Sequence, residues 1–433
     1  MGLVKDPGHV RDLTKAIAEG ALTSETLVRR CLDRIDEVDS SVLAWIDVLA
    51  DEAIAAAKSL DAERSATGAR GPLHGIPIAV KDIMDVAGLP TRANSASLTD
   101  APPAAADATV VAHLRAGGAI ILGKVHTTEF AYFESIPPTR NPHDLTRTPG
   151  GSSAGSSAAV AAGMVPLALG TQTAGSVNRP AAYTGIGAFK PSTRSIGGTG
   201  VVPLAPTYDT VGAFGSTAED AALLAAAFAP EQLRLGDVDM PEVRRIILLE
   251  DALIKEKAAA STMTTVKALA DGLGQAGFTV EPAATPVPLD ALIADHRTVL
   301  WFEMARIHGT APRHLLSQRF AEDVEKGLAL CADEYHAALN RLAEGRRRFW
   351  EQFGARVFIL MPAAPDIAPA DGTTGDPSFV IPTTVLGGPV ATVRAGQDVP
   401  TGMPIGAMLF AAPGTDGMLA SMLLSDRVKD IGL

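Results

Sequence analysis

The sequence predicts a single α/β domain of layered strands and helices, on three observations. Short apolar runs recur along the chain, at Ile78-Ala79-Val80, Ile120-Ile121-Leu122, Ile246-Ile247-Leu248-Leu249 and Val357-Phe358-Ile359-Leu360. Each has the length and composition of a buried strand. Helical patterns lie between them, and strands alternating with helices build an α/β layer. No Ser/Gly linker or internal repeat divides the 433 residues, of which 47% are apolar and 20% charged. That composition is close to the globular average and supplies a sizeable core.

The first sixty residues read as helical. Leu27, Cys31, Leu32, Ile35 and Val38 recur at helical spacing, with Thr23 and Ser24 available as caps. Thr217 to Phe228 reads as a helix opening on a Thr217…Asp220 capping pattern, and Ser261 to Leu273 as another. Tyr335, Leu339, Leu342, Phe349 and Phe353 mark a long helix before the last apolar run. The Pro- and Gly-rich stretch from Pro362 to Pro382 is expected to be a long loop, and such loops in compact domains are often functional.

Charge and cysteine content exclude several classes. Lys and Arg number 37 against 49 Asp and Glu, a net charge of −12. A nucleic-acid binder needs a positive footprint, and no basic run longer than Arg346-Arg347-Arg348 occurs. Cys31 and Cys331 form no disulfide framework and no zinc spacing, and Cys31 lies on an apolar helix face, so a reducing, cytoplasmic setting is expected. Lys5, Asp6, Arg11, Asp12 and Lys15 interrupt any signal-peptide core. Thr148 to Asn178 carries no charge, yet its prolines, glycines and hydroxyls would be left unsatisfied in lipid. That stretch is expected to be buried in protein, with no membrane partner.

Familiar catalytic motifs mostly fail. There is no HExxH and no SxxK, and the nine histidines show no paired ligand spacing. His74 and His126 are read as local hydrogen-bonding residues. Gly118 to Lys124 matches most of a phosphate loop, but Val125 replaces the Ser or Thr and the interior is an apolar strand. Gly151-Ser152-Ser153-Ala154-Gly155 formally fits the nucleophile elbow GxSxG, but Arg147-Thr148-Pro149-Gly150 makes a poor preceding strand.

A longer constellation is more specific. His74-Gly-Ile-Pro-Ile-Ala-Val-Lys81-Asp82 precedes Thr148-Pro-Gly-Gly-Ser-Ser-Ala-Gly-Ser-Ser157, then Gly170-Thr-Gln-Thr-Ala-Gly-Ser176-Val-Asn-Arg179-Pro180 and Gly185-Ile-Gly-Ala-Phe-Lys190-Pro191. Together these resemble the amidase signature family of serine hydrolases. Leu43 to Ala57, Thr139-Arg-Asn-Pro142, Asp209-Thr-Val-Gly212 and Gly402-Met-Pro-Ile-Gly406 extend the resemblance over nearly the whole chain, weakly between about 225 and 355. It implies a mixed β-sheet core flanked by helices. It also implies a helical region at about 1–65, a signature core at about 70–220, a variable substrate-shaping region at about 225–355 and a C-terminal region at about 356–433.

By the same resemblance Ser176 is the nucleophile, Ser152 a bridging serine on a cis peptide, and Lys81 the base. Positions 152 and 176 stand 24 apart, as in the family, which favours Ser152 over Ser153. The rival base is Lys124. The chemistry is coherent: a lysine accepts a proton only when neutral, and burial lowers its pKa from about 10.4 by disfavouring the ammonium. The oxyanion hole is expected from the N–H groups of Thr173, Ala174 and Gly175. Ala174 stands where the family usually has glycine, and Gln172 where aspartate is frequent. Asp82 and Asp209 are expected as structural hydrogen-bond partners. Arg179 either braces the nucleophile loop or receives a substrate carboxylate, as in family members that act on small acidic amides.

The resemblance implies hydrolysis of a small amide through an acyl-enzyme, with no metal or organic cofactor. Two alternatives stand beside it. One is a carbamate or ester hydrolase with the same triad. The other is the glutamine-hydrolysing component of a tRNA-dependent amidotransferase, a type that usually carries arginine where Asn178 stands here. Gln232 to Met263, Leu289 to Ala332 and the loop after Met361 are expected to shape the pocket, and a homodimer is a possible assembly.

Overall fold

All four apolar runs form strands in the computed structural model of the chain, which describes residues 3–133, 136–229, 243–370, 372–429 and 431. They join seven others in one eleven-stranded sheet. In chain order the strands are β1 (Trp45–Val48), β2 (Pro77–Lys81), β3 (Ile120–Val125), β4 (Leu167–Gln172), β5 (Gly187–Lys190) and β6 (Thr210–Gly215). Then follow β7 (Arg245–Glu250), β8 (Thr279–Ala284), β9 (Phe358–Pro362), β10 (Val390–Gln397) and β11 (Pro404–Phe410). Their order across the sheet is β1-β3-β2-β4-β6-β5-β10-β11-β9-β7-β8. Pairing is parallel for β3-β2-β4 and for β9-β7-β8, and antiparallel elsewhere, so the sheet is mixed as expected.

The helices cover this sheet. Thr23 caps the Ser24–Val42 helix through the Thr26 N–H, and Thr217 and Asp220 form a reciprocal capping box on Ala218–Phe228. Ala260–Gln275 and Ala332–Phe353 fall where the helical patterns placed them. The N-terminal region departs from its helical expectation in one place. Leu43 adopts a left-handed conformation (φ 57°) that ends the second helix, and Trp45–Val48 then pairs antiparallel with β3 as an edge strand. The 362–382 stretch is a loop only in part, because the helix Val380–Leu386 begins inside it. Residues 232–242 of the expected substrate-shaping segment lie outside the described residues.

The uncharged stretch from 148 to 178 is buried nearly throughout. The helix Ala154–Ala161 has every side buried, which is why its sequence shows no polar face. Its hydroxyls find acceptors inside the protein: Ser156 donates to the Leu169 carbonyl at 2.9 Å and Ser157 to the Ala154 carbonyl at 3.2 Å. Gly155 permits a close contact with the residue after β3, since a Cβ there would lie 2.4 Å from the His126 backbone nitrogen. Cys31 is buried and desolvation pushes its thiol up to about 12, while Cys331 is exposed and free. Among the described residues no helix is long and apolar enough to cross a membrane.

Candidate active site

Strand β2 delivers Lys81 into an interior of hydroxyls. Its Nζ, wholly buried, lies 2.8 Å from Ser152 Oγ and 2.9 Å from Thr171 Oγ1. No carboxylate is in ion-pair contact with it among the described residues. Burial therefore holds its pKa well below the ordinary lysine value, opposed only by the field of Asp209. Lys124, the rival, is differently placed. It pairs with Asp82 at 2.5 Å and donates to Thr91 Oγ1 and the Pro90 carbonyl, so its charge is neutralised within the fold. Asp82 thus has the structural role expected of it.

The Gly151–Ser152 peptide is cis. Ser152 accepts the Thr128 N–H on its carbonyl at 3.2 Å and presents its hydroxyl to Lys81. Ser153 turns toward the Thr171 backbone, with Oγ 3.4 Å from both its nitrogen and its oxygen. Spacing and geometry therefore agree on which serine faces the lysine.

Ser176 sits between β4 and the helix Asn178–Thr184 and is 6% exposed. Among the described residues no hydrogen bond joins it to Ser152. Its loop is held from several sides. Gln172 Oε1 accepts the N–H groups of Val177 (2.9 Å) and Asn178 (3.0 Å), capping the helix that follows the serine. Gln172 Nε2 donates to Thr384 Oγ1 at 2.9 Å. The replacement of a family aspartate thus keeps the acceptor and adds a donor. Asp209 accepts from Thr173 Oγ1 at 2.5 Å and from the N–H groups of Leu204 and Ala205, bracing the loop. Ala174 has no positive φ and fits without strain. Gly175 has no room for a side chain, since a Cβ would lie 1.9 Å from Val380 Cγ2.

Arg179 is wholly buried. Its Nη2 donates to the Gly151 carbonyl (2.9 Å) and Thr374 Oγ1 (3.1 Å), and its Nη1 to the Gly375 carbonyl (2.8 Å). Desolvation lowers it to about 10. These are bracing contacts: the guanidinium ties the helix after Ser176 to the residue before Ser152. The group is enclosed, three of its five donors are held by the protein and its Nε is buried without a partner.

Among the described residues, hollows lie on two sides of this centre. One, of about 220 Å³, is walled by Ile83, Ala131, Thr171, Thr173 and Asp209. The other, a cleft of about 580 Å³, is lined by Tyr132, Phe133, Trp301, Arg297, Thr374 and Gly375. Tyr132 is fixed in the cleft wall by donating to Asp323 (2.6 Å) and accepting from Trp301 Nε1 (3.1 Å). The segment 289–332 and the loop after Met361 both reach this cleft.

Thr384 and His296 join the site without any motif of their own in the sequence, whereas Thr171 lies inside the signature run but had no role assigned to it there. His296, on the helix Leu289–His308, meets the Thr173 carbonyl at 2.9 Å through Nε2. No local pattern marks Thr384 or His296, because each meets the site through long-range packing. His74 behaves as expected, accepting the Arg70 N–H and bonding the Leu60 carbonyl.

A mixed sheet that buries a lysine against a serine is the arrangement implied by the resemblance of the sequence motifs, and comparison with known proteins shows the family. The Amidase family model matches residues 26–420, and the chain belongs to that family of amidase-signature enzymes. It is 33% identical over 463 aligned residues to the A component of glutamyl-tRNA(Gln) amidotransferase from Anaeromyxobacter sp. (strain K), covering 95% of this chain and 94% of that one. A solved amidase superposes with a TM-score of 0.88 at 27% identity, over 98% of this chain and 100% of the other. The peptide amidase of Stenotrophomonas maltophilia gives a TM-score of 0.82 at 26% identity, over 98% and 96%.

Proposed function

We propose that the protein cleaves an amide C–N bond through an acyl-enzyme on Ser176. The observation that carries this reading is the buried Lys81 amine, in contact with two hydroxyls and no carboxylate. A neutral amine there can take the Ser152 proton while Ser152 takes that of Ser176. Ser176 Oγ then bonds to the amide carbon, and the oxyanion is received by backbone N–H groups of Thr173, Ala174 and Gly175. Collapse breaks the C–N bond, and the proton returns through Ser152 to the leaving nitrogen. Water repeats the sequence to release the acid. The Ser152–Ser176 contact closes on substrate binding, as catalytic hydrogen bonds in free enzymes commonly do. Arg179 braces the two serine-bearing segments.

For the substrate, the relatives favour one of the alternatives over a free small amide. The 33% identity to the A component of an amidotransferase runs through almost the entire chain. Under that reading the bond cleaved is the side-chain amide of glutamine, and the chain works with partner proteins that use the ammonia. A panel of glutamine, simple primary amides, aryl esters and carbamates, read as ammonia or acid release with Ser176→Ala as blank, tests both readings. Turnover of simple amides with none of glutamine, both by the isolated chain and by the chain with any co-purifying partner proteins, would overturn the glutamine reading. Equal turnover of every substrate by Ser176→Ala would overturn the nucleophile.

A further inference from the structure

Three consecutive carbonyls before and beside Ser176 are each held by a different element. The Thr173 carbonyl is met by His296 Nε2 at 2.9 Å, from the helix Leu289–His308. The Ala174 carbonyl accepts from Thr384 Oγ1 at 2.7 Å, from the helix Val380–Leu386. The Gly175 carbonyl accepts the Arg179 N–H at 3.0 Å, from the helix that follows the serine. Among the described residues the only cis bond is Gly151–Ser152, so these three peptides are trans. In a trans peptide the C=O and the next residue's N–H point in opposite directions. Holding a carbonyl outward therefore aims the following N–H the other way.

We infer that His296 and the Gln172–Thr384 pair are positioning residues for the oxyanion hole, aiming the N–H groups of Ala174 and Gly175 at the reacting carbonyl. This rests on the proposed nucleophile and extends it to groups that touch neither substrate nor Ser176.

The donors themselves are oriented. Thr384 Oγ1 accepts from Gln172 Nε2 at 2.9 Å, so the single hydroxyl proton is directed to the Ala174 carbonyl. Gln172 is oriented in turn, because its Oε1 accepts two backbone N–H groups and only its amide nitrogen faces Thr384. An aspartate or glutamate at 172 could accept those N–H groups but could not donate onward. The Thr384 proton would then turn to the carboxylate and release the Ala174 carbonyl. His296 is wholly buried and its ring packs on Tyr208 with centroids 4.4 Å apart. Its pKa is lowered to about 4 by burial, so the imidazole is neutral and Nε2, facing a carbonyl, carries its proton.

The test uses p-nitrophenyl butyrate and a fluorophosphonate probe on the full chain. Gln172→Glu, Thr384→Val and His296→Phe should each lower kcat at least about tenfold, the scale of a weakened oxyanion hole, with KM within about twofold. Fluorophosphonate labelling of Ser176 should slow in parallel. Thr384→Ser, which keeps the hydroxyl, should restore kcat to within about threefold of wild type. Wild-type kcat in Gln172→Glu and His296→Phe, with Ser176 still labelled, would overturn the inference. Failure of the wild-type protein to label at Ser176 would instead overturn the nucleophile assignment itself. Gln172→Glu is nearly isosteric and keeps the measurement decisive should either other variant fail to fold.

Discussion

Lys81 and Lys124 stand one register step apart on neighbouring parallel strands, and that step sends them to opposite faces of the sheet. Lys81 of β2 is paired with Val125 of β3, so Lys124 projects away from the side that Lys81 serves. On one face the amine meets Ser152 and Thr171, and on the other it meets Asp82. Two buried lysines thus acquire different partners from the same sheet: burial lowers the pKa of both, but only Lys124 has a carboxylate beside it to oppose the shift by direct pairing.

The pH dependence of catalysis follows from that difference. A base must be neutral, and the Lys81 pKa lies below the ordinary lysine value because its ammonium is desolvated. The rate of amide hydrolysis should rise with pH and level off below about 10.4, the value for a solvated lysine. Lys81→Met should abolish amide hydrolysis. Lys124→Met should act on folding instead, leaving the Asp82 carboxyl buried and unpaired at a cost of about 3–5 kcal/mol. Kinetic pH profiles and urea unfolding of both variants check this, and an unchanged urea midpoint for Lys124→Met would contradict it.

Ser152 and Ser153 should separate by mutation. Ser152→Ala removes the hydroxyl 2.8 Å from Lys81, whereas Ser153→Ala removes only long contacts to the Thr171 backbone. Turnover should fall at least about a hundredfold for Ser152→Ala, the lower range for a lost proton-transfer group, and less than about tenfold for Ser153→Ala. The reverse ranking would move the relay to Ser153.

Gly175→Ala should be inactive or poorly folded, because its Cβ would lie 1.9 Å from Val380 Cγ2. Val380→Ala removes the obstructing methyls, so the double variant should recover part of the lost activity and thermal stability. Two effects that simply add would show that the clash is not the cause.

Arg179→Lys should reduce kcat/KM for a dicarboxylic half-amide and for its neutral methyl ester by the same factor. The guanidinium is enclosed and holds the Gly151 and Gly375 carbonyls, and a lysine cannot reproduce that fork. A loss confined to the carboxylate-bearing substrate would make Arg179 a substrate-binding residue.

Lys190 gives a stability prediction independent of activity. It is buried among the Pro191 and Gly388 carbonyls, and desolvation lowers its pKa to about 7. Above that pH the folded chain has released this proton while the unfolded chain keeps it up to about 10.4. The unfolded state then binds more protons, so this group makes stability rise with pH through that window. Lys190→Met should flatten the rise in unfolding free energy between about pH 7 and about pH 9, and an unchanged slope would refute the assignment.

What the sequence by itself determined was local or ordered along the chain. Four strand runs, the capped helices at Thr23 and Thr217, and the burial of the uncharged 148–178 stretch were legible because each depends on apolar spacing or side-chain reach within a few residues. The signature motifs named Lys81, Ser152 and Ser176 as one set. The tertiary structure decided what spacing cannot encode. Strands β4 and β6 are each interrupted by glycine, which weakens their local strand signal, and both are paired along their length by neighbouring strands. The register of β2 on β3 decided which lysine meets Ser152 and Thr171 and which meets Asp82. Packing of helices from residues 289–308 and 380–386 brought His296 and Thr384 to carbonyls 123 and 210 positions away in the chain. A side chain's partner across such a separation is set by the whole fold's packing, and no short window of sequence carries it.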